Sequence, residues 1–385
     1  MTTARPLGAR PLGVYVHWPY CARICPYCDF NVFKDRGGEE PAALARAIVA
    51  DLEAQAALTG PRTLTSVFLG GGTPSLMDPA WAAEIVAAAK RLWSPAPDLE
   101  VTLEANPTDA EADRFAAFAA AGVNRLSLGL QSLDDQALGF LGRNHDAATA
   151  IRATQAAARA FPRLSIDLIY ARPGQTPQVW AQELRTAVAL GAEHVSPYQL
   201  TIEAGTAFDR AVRRGTFSPV DADAGAVLFD TTQAVLEAEG FDAYEVSNHA
   251  RGEAARSRHN LVYWRGHDYV GVGPGAHGRI SLGGVRQATQ AAAKPADYIA
   301  RVAETGQGVV AREALNPRET AEERLLSGLR IDEGVARAEV AALEIGPEKI
   351  AHLMALGLLA EDPERLRATR QGRLVLDRLT TELAT

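Results

Sequence analysis

The chain has 385 residues, 47% of them hydrophobic and 22% charged, with a formal net charge of −8. That length predicts two or three structural units whose cores need no disulfides, and the acidic balance argues against a general nucleic-acid binder, which carries a basic excess. No apolar run reaches the ~18 residues of a transmembrane helix, and residues 1–19 lack the apolar block of a secretory signal, so a cytoplasmic protein is expected, with membrane contact only through partners.

In chain order, short β-branched runs fall at residues 12–17, 65–70, 99–104, 125–131, 164–170 and 194–200. Ala-rich stretches with helical spacing lie between them, at 41–58, 79–92, 109–121, 147–160 and 177–190. Several open on Asp or Pro, and two stop near Gly122 and Gly191, as helix ends do. Six β–α units in series predict a parallel sheet with outer helices. Right-handed crossovers leave a doubly wound sheet or a complete or partial (β/α) barrel. Either places ligands at the C-terminal ends of the strands, and periodicity alone does not choose between them.

From Gly205 the rhythm changes. Residues 221–239 read as an amphipathic helix with Asp221 as N-cap. The stretch 244–278 is aromatic and Gly-rich and holds four of the eight histidines, His249, His259, His267 and His277. Further helical stretches cover 295–304 and 317–329, and the tail reads as a small α/β winged-helix-like unit. Residues 347–385 carry six Lys/Arg against six Asp/Glu. A neutral unit lacks the electrostatic footprint for DNA, which suits a packing or partner domain. The expected organisation is a partial-barrel domain at 1–210, a connecting region at 211–310 and a C-terminal domain at 311–385.

Chemistry concentrates after the first strand, where Cys21, Cys25 and Cys28 form C-x3-C-x2-C. An odd number of cysteines at close spacing points to metal rather than disulfides. Three thiolates on a cubane iron–sulfur cluster leave one iron open for a ligand. Zinc held by the three cysteines and His17 or His145 is the alternative that the spacing leaves. The second strand runs into Gly70-Gly71-Gly72-Thr73. Each glycine costs about 0.5–1 kcal/mol in chain entropy, so the run marks either a close backbone approach to a ligand or a tight βα turn. Glu104 ends the third strand and Gln131 the fourth. Asp167 lies inside an apolar fifth strand, where a charge is costly unless paired. Tyr15 and His17 share one face of the first strand by the period of two. Arg172 follows the fifth strand near the expected opening, as a carboxylate-binding group or as a change on an exposed loop.

These blocks, in this order, resemble the radical SAM (S-adenosylmethionine) superfamily. With residues 258–264, Arg-His-Asn-Leu-Val-Tyr-Trp, the likeness extends over nearly the whole chain to the anaerobic coproporphyrinogen III oxidase family. The resemblance implies a partial (β/α)6 barrel of radical SAM type with a winged-helix-like C-terminal domain. It implies one [4Fe–4S] cluster on Cys21, Cys25 and Cys28, with SAM on the open iron and one-electron cleavage to a 5′-deoxyadenosyl radical. By the same resemblance Tyr15, Tyr27, Gly71, Gly72, Thr73, Glu104, Gln131, Arg143 and Asp167 fall at SAM-site positions. Relatives carry an apolar residue where this chain has Arg172. The true oxidase, which decarboxylates a porphyrinogen, has a fourth cysteine where this chain has Phe30, and an extension before the first strand, which here begins near Leu12. Both departures, together with C-P-Y-C-D-F at 25–30 and H-N-x-x-Y-W at 259–264, resemble the haem-chaperone branch. That branch implies haem as cargo, apo-haem proteins of the respiratory chain as recipients, an electron donor, and no nucleic acid. His259, Asn260, Tyr263 and Trp264 are the candidate haem region, and the same residues also suit a structural block that packs the core.

Overall fold

The computed structural model describes residues 11–385; residues 1–10, part of the segment read above for a signal, and the side chains of Asp109 and Ala110 fall outside the described residues. Six strands follow the expected order: β1 (Pro11–Trp18), β2 (Thr63–Gly71), β3 (Ser94–Ala105), β4 (Arg125–Gln131), β5 (Arg163–Tyr170) and β6 (His194–Gln199). Each pairs in parallel with the next. Parallel strands are covered on both faces and so read as near-continuous apolar runs. Leu12, Val14, Val16, Leu64, Val67, Leu103 and Leu126 are accordingly fully buried in one core.

The connecting helices begin where their capping residues dictate. Asp78, Asp146, Thr176 and Asp221 each accept a backbone N–H with the side chain, opening helices Pro79–Leu92, Ala147–Ala160, Pro177–Val188 and Ala222–Ala238. The one helix expected over 109–121 is two, Asp109–Ala112 and Phe115–Ala120. At the break, Glu111 is drawn to Ser75 and to the Asn106 N–H, and the Arg114 guanidinium donates to the Ser75 carbonyl at 2.7 Å.

The sheet does not stop at six strands. Residues 242–314, where the only element expected was a helix at 295–304, add β7 (Asp242–Glu245), β8 (Asn248–Ala250), β9 (Asp268–Val272), β10 (His277–Leu282), β11 (Val285–Ala291) and β12 (Val309–Ala314). The result is one 12-stranded mixed sheet in the order β12-β11-β10-β9-β1-β2-β3-β4-β5-β6-β8-β7. Strand β9 runs parallel to β1, while β10, β11 and β12 follow as antiparallel neighbours.

A second core gathers Leu325, Leu329, Val335, Leu353, Leu359, Leu366 and Leu379 from the C-terminal helices and a short antiparallel ladder pairing Val335 with Leu366. Ion pairs tie this unit to the sheet: Arg330 to Glu245 at 2.6 Å and Arg256 to Asp332 at 2.7 Å. Among the described residues no helix is long and apolar enough to cross a membrane.

Candidate cluster and nucleotide site

The cysteine loop leaves the end of β1 and is stitched to the end of β2. Gly72 donates its N–H to the Trp18 carbonyl at 2.7 Å, and Thr73 donates to the Tyr20 carbonyl at 2.8 Å. A Cβ on Gly72 would stand 2.8 Å from the Trp18 and Tyr20 carbonyl oxygens and from the Pro19 carbonyl carbon. Backbone atoms cannot swing aside as side chains do, so only glycine lets the two loops meet. Gly71 takes φ +107°, a conformation that costs glycine little, and its N–H donates to Glu104 Oε2 at 2.9 Å.

Cys21, Cys25 and Cys28 line one face of a cavity of about 340 Å³ at the C-terminal ends of the strands. Tyr27, Gly71, Gly72, Thr73, Glu104, Gln131, Arg143 and Asp167 line the same cavity. The volume falls in the range of small-ligand sites, roughly 300–1,000 Å³. Tyr15 stands apart. Its hydroxyl is hydrogen-bonded to His17 Nδ1 at 2.9 Å, and its ring lines a neighbouring cavity.

Arg143 organises the wall opposite the glycines. It donates to Cys25 Sγ at 3.3 Å, to the Tyr27 hydroxyl at 3.4 Å and to the Gly129 carbonyl at 3.0 Å. It also donates to Asn106 Oδ1, while Asn106 Nδ2 donates to Thr73 Oγ1 at 3.1 Å. Asn106 thus links the two sides of the cavity, a role that the sequence reading did not assign. Its position next to Pro107 just past a strand end was the available signal.

Gln131 adopts φ 64° at the end of β4, and its buried Oε1 has no hydrogen-bond partner. An unpaired buried acceptor costs about 1–3 kcal/mol, so the site is built for a ligand that brings a donor. Asp167 pairs with hydroxyls rather than with a cation. Ser127 Oγ donates to its Oδ2 at 3.1 Å, and burial pushes its carboxyl up to about 6. Burial and the neighbouring Asp167 push the Glu104 carboxyl up to about 8, with the Gly71 N–H opposing the shift.

The two histidines that could complete a zinc site with the cysteines differ in their engagement. His17 has both ring nitrogens engaged, by the Tyr15 hydroxyl and by the Asn31 carbonyl at 2.9 Å. His145 uses Nε2 on the Leu130 carbonyl at 3.2 Å and leaves its buried Nδ1 without a partner among the described residues. Among the described residues no three His, Cys, Asp or Glu side chains gather around a common metal-ion position. Burial pushes the thiols of Cys21 and Cys28 up, the latter to about 11. Binding iron therefore releases protons from this loop.

The neighbouring cavity, about 960 Å³, is lined by Tyr15, Phe30, Tyr263, Trp264, Tyr269 and His277 among others, and it shares Asp29 and Phe30 with the cluster cavity. Only part of the H-N-x-x-Y-W segment faces it. His259 is 1% exposed. Its Nδ1 is hydrogen-bonded to Ser66 Oγ at 2.8 Å and its Nε2 to the Tyr263 hydroxyl at 2.6 Å. Its ring stacks on Phe68 at 4.8 Å, and burial lowers its pKa to about 3. Asn260 accepts an N-terminal position in helix Arg258–Trp264, its N–H capped by Ser257 Oγ at 3.3 Å. His259 and Asn260 thus serve the packing of this helix, while Tyr263 and Trp264 reach the cavity wall.

Arg172 corrects both readings offered for it. It is 6% exposed, not on an open loop, and its guanidinium is committed to Glu183 and Ser132 rather than free for a carboxylate ligand.

The pattern of the radical SAM superfamily matches residues 15–187, and that of the HemN C-terminal domain matches residues 315–375. The haem chaperone HemW of Mycobacterium tuberculosis is 38% identical over 98% of this chain and 96% of its own length. The chain belongs to the HemW family of radical SAM proteins. Radical S-adenosyl methionine domain-containing protein 1, mitochondrial, of Bos taurus is 41% identical to this HemW-family chain over 98% of it and 88% of the relative. The structure of the coproporphyrinogen III oxidase HemN from Escherichia coli superposes with a TM-score of 0.81, covering 98% of this chain and 91% of that one. At 22% identity that match establishes the fold.

The cavity fits the superfamily's cofactors. Cys21, Cys25 and Cys28 would hold a [4Fe–4S] cluster; the Gly71–Thr73 backbone, Glu104 and Gln131 would hold SAM. The bound pair supplies a one-electron cleavage of SAM, and the protein's part is binding and orientation.

Glu104 provides a test without cofactors. Its carboxyl is held near 8 in the folded chain against an ordinary 4.5. At this site the folded state therefore binds more protons than the unfolded state between those values, and the contribution of Glu104 to stability falls as pH rises through that window. Burial lowers the pKa values of His194, His249 and His259, which act in the opposite direction, so for the cofactor-free chain the urea midpoint of Glu104→Gln is expected to gain on that of the wild type between about pH 5 and pH 8. An unchanged slope in the variant would assign the dependence to other groups.

Proposed function

We propose that this chain is a radical SAM haem chaperone. It receives haem in the aromatic cavity beside the cluster and passes it to apo-haem proteins of the respiratory chain, with an external electron donor reducing the cluster. The carrying observation is the cavity of about 960 Å³, walled by Phe30, Tyr263, Trp264 and Tyr269, which adjoins the cysteine loop. Aromatic faces and edges pack well against a flat macrocycle. The full-length likeness to a haem chaperone supports the same reading. Phe30, 60% exposed where the two cavities meet, stands at the position of the oxidase's fourth cysteine and speaks against that activity. The C-terminal unit, with balanced charge, is suited to docking a recipient rather than nucleic acid.

The test is an anaerobic incubation of the cluster-loaded chain with haem, SAM and a reductant. Haem transfer to an apo-cytochrome acceptor and release of 5′-deoxyadenosine are expected, with coproporphyrinogen III left unchanged. Efficient decarboxylation of coproporphyrinogen III without haem transfer would replace this reading by the oxidase.

A further inference from the structure

The aromatic cavity contains a histidine that the H-N-x-x-Y-W segment does not supply. Two histidines line it, His17 and His277. Both ring nitrogens of His17 are occupied, and those of His259, behind the wall, are occupied as well. Neither can bind iron without giving up a hydrogen bond that its ring already makes. The ring of His277 makes no hydrogen bond among the described residues and stands at the solvent-accessible mouth. No cysteine or methionine lines this cavity. Of its tyrosines, Tyr15 and Tyr263 have their hydroxyls bonded to His17 and His259. Tyr269 would have to ionise to ligate, which burial opposes.

The position of His277 is built into the fold. Strand β10 begins at His277, directly after a turn that Asn31 holds: Asn31 Nδ2 donates to the Pro274 carbonyl at 2.9 Å and to the Ala293 carbonyl at 2.8 Å. Asn31 lies three residues past Cys28, so the cysteine loop itself clamps the turn that presents the imidazole. Gly271 makes the close approach possible on the other side, since a Cβ there would stand 1.9 Å from the His277 carbonyl oxygen. Arg279, two residues on and so on the same face of β10, also lines the cavity. It donates Nε to Glu323 at 2.6 Å and Nη1 to the Gly278 carbonyl at 3.1 Å, so that its charge is already paired.

Resting on the haem-chaperone reading, we infer that His277 is the axial ligand to haem iron in this cavity. Neutral imidazole is a common haem ligand. The ligand is then carried by a clamp on the cluster loop, while the H-N-x-x-Y-W helix builds the wall.

The experiment is a haem titration of the full-length, cluster-loaded chain under anaerobic conditions, read by the Soret band, with wild type, His277→Ala and His277→Met. His277→Ala is expected to weaken haem binding by about tenfold or more, to change the coordination spectrum, and to recover the wild-type spectrum on addition of free imidazole. His277→Met keeps a ligating side chain and is expected to bind haem with the shifted bands of thioether ligation. Wild-type bands and affinity in both variants would overturn the assignment and leave the chaperone reading intact. A wild-type chain that binds no haem would overturn the chaperone reading and this assignment together. Should the alanine variant fail to fold, the methionine variant alone decides, because unchanged bands in it exclude His277 as ligand.

Discussion

Replacing Cys28 by alanine is expected to drop the iron content of the anaerobically loaded chain from about four per chain, the value for one cubane, to nearly none. The loop explains why the effect is all-or-none. The described residues offer the cavity three thiols and no fourth, so a cluster with one anchor lost is held by two. Cys28 is also part of the loop's own turn, its N–H donating to the Cys25 carbonyl at 3.2 Å. Because its thiol sits near 11 before iron arrives, loading of the wild-type chain should weaken as pH falls and protons compete for the sulfur. Iron and sulfide analysis, with the broad visible absorbance of the cluster, checks both statements. Retention of about four iron in the variant, or zinc in place of iron in the wild type, would contradict the cluster assignment.

Replacing Arg172 by alanine is expected to destabilise the fold by about 3–5 kcal/mol, the usual cost of leaving a buried charge uncompensated. The two partners are almost equally buried, with side-chain exposures of 7% for Arg172 and 6% for Glu183. Glu183 also accepts from Ser132 and from the Leu133 N–H at 2.9 Å, so its carboxylate organises the end of β4 as well as the loop after β5. Once Arg172 is gone, those donors are too few to stabilise a buried anion. A double variant, Arg172→Met with Glu183→Leu, should recover much of the loss, since apolar pairs of similar volume replace buried ion pairs at little cost. Urea unfolding of the cofactor-free chain followed by fluorescence and circular dichroism checks both. A loss below about 1 kcal/mol in the single variant would mean the pair behaves as a solvent-screened surface bridge.

The sequence reading and the structure agree where local chemistry is decisive. The six parallel strands were legible because each is a short, largely apolar run set between longer Ala-rich stretches of helical spacing, and a strand buried on both faces cannot hide its composition. The later six strands were not. Strands β7 and β8 have four and three residues, too short for any period to register. In β11 and β12, polar residues such as Arg286, Gln287, Arg312 and Glu313 sit on partly exposed outer positions. Their strand identity comes from the neighbours that pair with them, not from their own pattern.

Ligand chemistry divides in the same way. Three cysteines in eight residues, a glycine run at a strand end and a carboxylate at the next strand end declare themselves in one dimension. Whether a polar residue is free or already engaged does not. His259 stood out by its motif, yet Ser66, 193 positions away, holds its ring in the core. Arg172 looked exposed because it follows a strand, yet Glu183 turns back over it from the next helix. His277 had no motif to mark it, and its availability follows from what its neighbours leave undone.

By itself, then, the order of residues determined the series of parallel β–α units, the cysteine loop suited to iron and the branch of the superfamily. These depend on short-range spacing and backbone geometry, which a chain carries wherever it folds. Only the tertiary structure decided which polar side chains remain unpaired, because each hydrogen bond is settled between partners brought together from distant parts of the chain.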